Sequence, residues 1–368
     1  MKKINMVDLQ GQYKKIRWQV NREIKRVLKS AAYINGPIVK EFEINLKDFL
    51  GTKNVIPCAN GTDALQVALM SIGLEKGDEV ITTPYTFIAT VASIATVGAK
   101  PVFVDVKDDY NIDENLIEKA ITRKTRAIMP VHWSGRPCEM TKIKKIAKKY
   151  NLKIIQDSCH AIMSKYKNKD IINFGDICTY SMHPLKNLNV WGDGGFMVTN
   201  NKVVFKKLEL MRNHGLKDRN TCLNFGYNSR LDTIQATVAN YKIKNKLKNI
   251  TKTRIINAKH LDSLLKKNKN IKTVSRLPHL KEVFHLYQIN TKKRDALVKY
   301  LLKNKIDAKV HYPIPIHLQP AAKYLKYKKG DFPIAEKLAK TSISLPVHEF
   351  VNKNQINNIA SLINNFYK

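Results

Sequence analysis

Three polar residues stand where short apolar runs of the sequence end. Asp157 closes the run LKIIQD, Ser181 closes DICTYS, and Lys186 follows in the segment MHPLKNLNVWGDGG. A carboxylate at the end of a buried strand, followed 29 residues later by a lysine in a glycine-rich turn, suits pyridoxal phosphate chemistry. The lysine amine can form a Schiff base, and the carboxylate can keep the pyridine nitrogen protonated so that the ring withdraws electrons.

A mostly parallel sheet covered by helices would bring these residues together. From about residue 55, short β-branched runs alternate with helical stretches, and each interval can supply the crossover that a parallel strand requires. The predicted strands are 55–59, 79–83, 101–106, 126–131, 152–157, 176–181 and 195–200, and the predicted helices are 62–72, 87–97, 114–121 and 139–150. Ligands bind such sheets at the carboxyl ends of the strands, where Asp157 and Ser181 fall.

The pattern changes after residue 200. A long helical stretch from Asp232 to about Lys266 leads into a tail without regularly spaced strands. The tail contains the segments 283–291 and 307–312, a helix after Arg294, a proline-rich loop at 313–320 and a last helix from Asn354. The sequence therefore predicts a large α/β cofactor-binding domain with an N-terminal helix over residues 1–245, and a small α+β domain over residues 246–368.

The composition is strongly basic. Lys and Arg number 65 against 30 Asp and Glu, which gives a formal net charge of +35. Most of these cations are lysines at spacings typical of solvated helix faces, whereas nucleic-acid binders gather arginine-rich charge into a stripe or tail. We therefore interpret the charge as a soluble surface that attracts anionic substrates, and we expect no nucleic-acid partner. A basic non-enzymatic protein that binds nucleic acid or polysaccharide is the alternative from a different class.

Cysteine usage and hydropathy favour a cytoplasmic protein. The five cysteines form an odd set without a C-x-x-C pair or zinc-ligand spacing. No apolar segment follows the basic N-terminus and no stretch is apolar enough to cross a bilayer, so we expect neither secretion nor a membrane span. The histidines lie on separate loops, so we expect no metal site, and GDGG at 192–195 lacks the features of a nucleotide loop.

Nearly the whole chain resembles the DegT/DnrJ/EryC1/StrS family of sugar aminotransferases, a branch of the fold type I, aspartate-aminotransferase-like pyridoxal phosphate enzymes. The resemblance rests on an ordered set of segments. They are INGPIVKEFE (34–43), NGTDALQVAL (60–69), TPYTFIATVASI (83–94), GAKPVFVDV (98–106), QDSCHA (156–161), YSMHPLKNLNVWGDGGFMVTN (180–200), MRNHG (211–215), GYNSRLDTIQA (226–236) and VHYPIPIHLQP (310–320). The resemblance implies pyridoxal 5′-phosphate as the cofactor, with pyridoxamine 5′-phosphate as its intermediate form.

The resemblance also implies roles for residues around the cofactor ring. Lys186 would be the Schiff-base lysine and the base that moves the proton during transamination. Asp157 would pair with the pyridine nitrogen, His160 would lie near the 3-hydroxyl and the ring face, and the ring of Phe87 would stack on the pyridine. Without the surrounding motifs, these residues could equally be a surface lysine, a strand-end carboxylate and two core aromatic side chains.

A second group of residues matches the phosphate-binding end of the family site. Gly61 and Thr62 begin a predicted helix, where backbone N–H groups and the helix dipole favour an anion, although Thr62 could also be a simple N-cap. The resemblance gives Ser181 a hydroxyl contact to the same phosphate. Asn228 matches a residue that reaches the phosphate from the neighbouring subunit, which implies an obligate homodimer with shared active sites.

The resemblance implies transfer of an amino group from L-glutamate to a keto sugar. His311 and Tyr312 would lie on the substrate side, and their segment resembles family members that aminate nucleotide-linked 3-keto sugars. The expected product is an amino sugar for a cell-surface polysaccharide such as lipopolysaccharide. A 4-keto nucleotide sugar, or a sugar without a nucleotide such as a keto-octulosonate, is the alternative substrate.

The lysine segment departs from the usual family wording. The common form is HP-T/G-K-N-L-G, whereas this chain has Asn189 and then Val190 and Trp191 after the lysine. The departure concerns the shape of the pocket more than its chemistry. A sugar dehydratase of the same fold would replace the lysine by histidine, so Lys186 argues against that activity.

Overall fold

A computed structural model describes residues 3–368 of the chain. The strands are β1 Asn54–Cys58, β2 Glu79–Thr82, β3 Lys100–Phe103, β4 Thr125–Ile128, β5 Lys153–Asp157, β6 Lys165–Tyr166, β7 Lys169–Asp170, β8 Ile177–Ser181, β9 Gly195–Thr199, β10 Lys272–Thr273, β11 Leu280–Lys281, β12 Tyr287–Asn290 and β13 Ser342–Leu345. The α-helices are α1 Leu9–Ser30, α2 Pro37–Leu50, α3 Gly61–Ser71, α4 Ile88–Thr96, α5 Met140–Lys149, α6 Lys202–Met211, α7 Thr233–Asn245, α8 Leu247–Leu265, α9 Arg294–Lys303, α10 Pro333–Thr341 and α11 Lys353–Phe366.

The main sheet has seven strands in the order β1-β9-β8-β5-β4-β2-β3. The pairs β2/β3, β2/β4, β4/β5 and β5/β8 are parallel, and only β9 runs antiparallel, against both β1 and β8. All seven predicted strands are present, and the expected α/β fold with a mostly parallel sheet is confirmed. Because β9 alone is reversed, the carboxyl ends of β1, β2, β4, β5 and β8 lie at one edge of the sheet.

Helices cover both faces of this sheet because successive strand residues point to opposite sides. Val55 packs with α1, α2 and α7, whereas its neighbour Ile56 packs with α3 and α6. The same alternation occurs in β9, where Phe196 belongs to the first core and Met197 to the second. Such two-sided burial explains why the strands read as continuous apolar runs rather than alternating ones.

Two predicted helices differ in the structure. The stretch 114–121 forms only a single 3-10 turn, Glu118–Ala120, because the Asp113 carboxylate accepts the Asn115 N–H at 2.9 Å and favours turns over helix. The stretch 232–266 is two helices, α7 and α8, broken at Lys246, whose φ is −129°. The break lets α7 pack in the core beside the main sheet and α8 in the C-terminal core.

The C-terminal core lies between α8, α9, α11 and the small sheet β10-β12-β13. Ile4 also belongs to this core, through a bridge to Ile306, although it comes from the opposite end of the chain. We propose the division into 1–245 and 246–368 as the domain organisation, supported by these separate cores. Pairing of β11 with β6 and a mixed cluster around Tyr85 and Leu286 connect the two parts.

Within residues 3–368, none of the helices is both long enough and apolar enough to cross a membrane.

Candidate active site

A cavity of about 530 Å³ lies at the edge of the main sheet where the strands β1, β2, β4, β5 and β8 end. Nine of the predicted site residues line it: Gly61, Thr62, Phe87, Asp157, His160, Ser181, Lys186, His311 and Tyr312. The fold therefore gathers residues that are up to 251 positions apart in the chain around one space. Asn228 is the predicted residue that does not line the cavity.

Asp157 ends β5 at the floor of the cavity and is buried. Its Oδ2 accepts a hydrogen bond from Thr90 Oγ1 at 2.7 Å, and its Oδ1 accepts one from the Cys159 N–H at 3.2 Å. Because Thr90 gives its own proton to Asp157, the 2.7 Å contact between Thr86 and Thr90 must have Thr86 as the donor. This hydroxyl chain holds the carboxylate in one orientation.

Lys186 lies on the loop after β8, and backbone and side-chain hydrogen bonds on both sides fix that loop. The Lys186 N–H donates to the His183 carbonyl at 2.8 Å, and the neighbouring Asn187 donates its side-chain N–H to the Val283 carbonyl at 3.0 Å. Burial lowers the pKa of Lys186, and the negative charge of Asp157 opposes that effect. A lysine with a lowered pKa is more readily neutral, which an amine nucleophile or base requires.

The start of α3 and the end of β8 form a narrow cradle. A Cβ on Gly61 would lie 2.6 Å from Ser181 Cβ and 3.2 Å from Cys159 Sγ, so glycine permits the close approach. The side chain of Asn60, not Thr62, caps the helix by accepting the Asp63 N–H at 2.8 Å. The N–H groups of Gly61 and Thr62 have no acceptor among residues 3–368, which leaves two donors and the helix dipole for an anion.

His160 lies against a second histidine that the sequence does not single out. The rings of His160 and His285 are 4.2 Å apart between centroids, and His160 Nδ1 accepts the Ser134 N–H at 3.3 Å. Burial holds the pKa of each ring well below the usual value of 6.5, and the nearby cation of Lys186 acts in the same direction. Both rings are therefore neutral at physiological pH.

Aromatic and histidine side chains form the opposite wall of the cavity. The ring of Tyr312 lies 5.8 Å from that of Phe87 and 5.8 Å from that of Trp133, measured between centroids. Burial raises the pKa of Tyr312 to about 12, so the phenol keeps its proton. His311 Nδ1 contacts Ser344 Oγ at 2.9 Å, and burial lowers the pKa of His311 to about 4. This wall offers neutral hydrogen-bonding groups rather than charges.

Asn228 does not line the cavity of its own chain. It is exposed, and its backbone forms a bridge with Asn213. The exposed segment around it includes Phe225, which is 94% accessible to solvent. The adjacent Ser229 is buried and donates to Asp63 Oδ2 at 2.7 Å, immediately beside the start of α3.

The residues that are present fit pyridoxal phosphate. The open N–H groups at the start of α3 and the Ser181 hydroxyl suit the phosphate, the buried Asp157 carboxylate suits the pyridine nitrogen, and Lys186 supplies the amine. Among residues 3–368 there is no group of three or more His, Cys, Asp or Glu side chains that could hold a metal ion.

Sequence reasoning missed two residues of this site. Thr90 lies one helical turn after Phe87, a spacing that would have placed both on the same face of α4. His285 lies between β11 and β12, where no local pattern indicates a site, because only the pairing of distant segments brings it to His160.

The fold and this cavity define a pyridoxal phosphate-dependent transferase of fold type I. Within that class, the chain belongs to the DegT/DnrJ/EryC1/StrS aminotransferase family, whose family model matches residues 14–364. The resemblance that the sequence motifs indicated is confirmed, and with it the aminotransferase activity and the pyridoxal phosphate cofactor.

Three curated relatives are similar over nearly the full chain. A protein of Geobacillus stearothermophilus named pleiotropic regulatory protein is 39% identical, covering 99% of each chain. The UDP-2-acetamido-2-deoxy-3-oxo-D-glucuronate aminotransferase of Pseudomonas aeruginosa is 36% identical, over 98% of this chain and all of its own length. The dTDP-3-amino-3,4,6-trideoxy-α-D-glucose transaminase of Streptomyces venezuelae is 33% identical, over 96% of this chain and 93% of its own.

Solved structures give the same result. S. venezuelae DesV matches with a TM-score of 0.97 and 32% identity, covering 100% of this chain and 99% of its own. NtdA of Bacillus subtilis, solved with bound pyridoxamine phosphate, matches with a TM-score of 0.92 and 28% identity, covering 99% of this chain and 85% of its own.

Proposed function

We propose that this enzyme transfers an amino group from L-glutamate to a nucleotide-linked 3-keto sugar. The observation that carries the proposal is the single cavity in which Lys186, the buried Asp157 carboxylate and the Gly61–Ser181 cradle meet. Two full-length relatives, named for a UDP-linked 3-oxo sugar and a dTDP-linked 3-amino sugar, support a nucleotide-linked substrate aminated at carbon 3.

Each side chain has a task that follows from its surroundings. When bound, pyridoxal phosphate supplies an electron-withdrawing ring that acidifies the carbon bearing the amine. Lys186 Nζ would take the proton from that carbon and return it to C4′ of the cofactor, since its lowered pKa makes the neutral amine accessible. Asp157, fixed by Thr90, would hold the pyridine nitrogen. The neutral His160 accepts the Ser134 N–H at Nδ1, so its Nε2 carries the proton and would donate one hydrogen bond near the ring.

The remaining assignments complete the site. We assign the phosphate to Gly61, Thr62 and Ser181, ring stacking to Phe87, and the sugar side to His311 and Tyr312. The wall that carries His311 and Tyr312 is neutral, which suits the hydroxyl and carbonyl groups of a sugar ring.

We further propose that the enzyme is a homodimer with shared sites, in which Asn228 reaches the partner's phosphate. Asn228 is exposed and does not line the cavity of its own chain, which supports a role in the site of a second copy. The exposed Phe225 beside it is an apolar surface that a second copy would cover.

We place the enzyme in the cytoplasm, where nucleotide sugars for cell-surface polysaccharide are made. The five unpaired cysteines support that location, because the cytoplasm keeps thiols reduced.

The test of the activity compares Lys186→Ala with Lys202→Ala, an exposed lysine on α6 that serves as the matched control. Lys186→Ala should lower turnover of L-glutamate with a 3-keto nucleotide sugar by at least about 100-fold, since general base catalysis contributes that much. The absorbance of bound cofactor should change on adding L-glutamate to the wild type and the control only. Full activity in Lys186→Ala would overturn the mechanism, and preference for a 4-keto or nucleotide-free sugar in the same assay would overturn the substrate class.

The shared site has its own test. Lys186→Ala and Asn228→Ala chains, each inactive or impaired alone, should regain activity when mixed dimers form. One of the two sites in a mixed dimer then has a wild-type lysine from one chain and a wild-type asparagine from the other. No recovery in a confirmed mixed dimer would show that Asn228 does not act across the interface.

A further inference from the structure

The departure from the family wording at Asn189 has a structural counterpart. Asn189 is 1% exposed and ends the loop that carries Lys186. Its side-chain N–H group donates to the Pro184 carbonyl, at the other end of the same loop, and to Gln12 Oε1 of α1 at 3.0 Å. The amide of Asn189 therefore closes the loop from 184 to 189 on itself and fastens it to α1.

A buried lysine holds the oxygen of the same amide. Lys242 of α7 is 2% exposed, and its Nζ donates to Asn189 Oδ1 and to Gln12 Oε1, the latter at 3.3 Å. Burial lowers the pKa of Lys242 to about 8, although the charge of Glu349 opposes this. The cation thus lies among neutral oxygen acceptors, and no carboxylate forms a salt bridge with it within residues 3–368.

The contacts continue to the other wall of the cavity. Gln12 donates its N–H to Glu349 Oε1 at 2.7 Å, and Glu349 Oε2 lies 3.7 Å from Arg254 Nη2. Arg254 is buried and donates through Nη1 to the carbonyl of Phe284 at 3.2 Å and that of His285 at 3.4 Å. One polar network therefore links the Lys186 loop to the segment that places His285.

We propose that Lys242 and Asn189 form a positioning pair that fixes the loop carrying Lys186. A buried ammonium without a carboxylate partner costs stability that an apolar side chain of the same length would not, so packing alone does not account for the lysine. Two of its three donors bond to the Asn189 and Gln12 oxygens, and the N–H group of the same Asn189 amide closes the loop through the Pro184 carbonyl. Neither Lys242 nor Asn189 lines the cavity, so the pair would act through the loop and not by direct contact with the reacting groups.

This inference rests on the proposed role of Lys186, and its experiment separates the two. Lys242→Met removes the donor and keeps the length. Lys244→Met on the same helix is the control, because Lys244 is half exposed and its only side-chain partner within residues 3–368 is Glu41. In cofactor-free protein, hydrogen exchange of the segment 183–191 should rise in Lys242→Met and not in Lys244→Met. In the loaded enzyme, kcat should fall about ten- to a hundredfold with KM for L-glutamate unchanged, because a small displacement of the reacting amine is costly.

Further variants keep the proposal falsifiable if Lys242→Met does not fold. Asn189→Ala should also raise hydrogen exchange of the segment 183–191 and lower kcat. The double variant Asn189→Ala/Lys242→Met should lower kcat no further than Asn189→Ala alone, because the two residues act as one unit. Lys242→Gln, which keeps a neutral N–H donor, should recover part of kcat. Unchanged exchange in segment 183–191, or a rise in KM rather than a fall in kcat, would overturn the positioning role. An active Lys186→Ala enzyme would instead overturn the proposed function, whatever the exchange shows.

Discussion

Gly61→Ala probes the phosphate-binding end of the cavity through shape alone. The added Cβ would lie 2.6 Å from Ser181 Cβ and 3.1 Å from Ser181 Oγ, far inside van der Waals contact. The start of α3 also packs closely on β9, since a Cβ on Gly195 would lie 2.4 Å from the Asn60 carbonyl oxygen. The helix therefore has little space in which to move away from Ser181. The strands β8 and β9 and the first turn of α3 are therefore wedged together.

The expected magnitude follows from this geometry. Relieving the contact requires a movement of about 1 Å, since carbon atoms prefer separations of about 3.5 to 4 Å. Overpacking of this kind lowers the free energy of unfolding by about 1–3 kcal/mol. The same movement displaces the free N–H groups of Gly61 and Thr62, so we expect affinity for pyridoxal phosphate to fall about tenfold or more.

Two measurements and two controls separate these effects. Urea unfolding of the cofactor-free protein gives the stability, and fluorescence titration gives the affinity for pyridoxal phosphate and for pyridoxal, which lacks the phosphate. Ser181→Ala should weaken binding of the phosphorylated form with little steric effect. Gly61→Ala with Ser181→Gly should recover stability and not affinity. Wild-type stability and affinity in Gly61→Ala would refute the assignment of the phosphate to the Gly61–Ser181 cradle. Equal losses of affinity for pyridoxal phosphate and pyridoxal would refute it as well.

Three further predictions concern buried charge. Burial lowers the pKa of His132 to about 4, so between about pH 6.5 and pH 4 the unfolded chain binds a proton that the folded chain does not. The free energy of unfolding, measured with urea, should therefore be highest above pH 6.5 and fall by up to about 3 kcal/mol towards pH 4. His132→Gln should flatten that decline. The rate at which the cofactor-free protein binds pyridoxal phosphate should rise with pH with a midpoint below 10.5, because Lys186 must be neutral to react and burial lowers its pKa; a midpoint at or above 10.5 would contradict this. Glu282→Ala should cost about 1–3 kcal/mol, because the buried Arg136 guanidinium loses the carboxylate 2.6 Å away but keeps Asp109 at 3.2 Å, and a loss below about 1 kcal/mol would contradict the burial argument.

The fold could be predicted well where periodicity and length carry the information. Seven apolar runs became the seven strands of the main sheet because most of them are buried on both faces, and the edge strand β3 is buried mainly on one. The failures lie where local chemistry or long-range packing decides. Asp113 turns the chain where a helix was predicted, and Lys246 divides a helical stretch because its two halves pack in different cores.

The site could be predicted where motifs are contiguous. Lys186, Asp157 and Ser181 were found because each ends or follows a strand. Thr90 and His285 were missed because the hydrogen bond from Thr90 to Asp157 spans 67 residues of the chain and the ring contact of His285 with His160 spans 125. No sequence pattern encodes such a contact when its partners are distant in the chain.

The separation of the cavity walls along the chain has a consequence for how relatives diverge. The residues assigned to the cofactor fall between positions 61 and 228, whereas the residues assigned to the sugar, His311 and Tyr312, follow the junction at Lys246. A chimera joined at that junction should therefore inherit its cofactor handling from one parent and its sugar preference from the other. Such exchange is constrained by the pairing of β6 with β11 and by the Arg136–Glu282 ion pair, so these crossing contacts must be inherited together. If the chimera behaves in this way, one C-terminal segment sets the substrate preference, and a few matched contacts fix that segment to the cofactor-binding part.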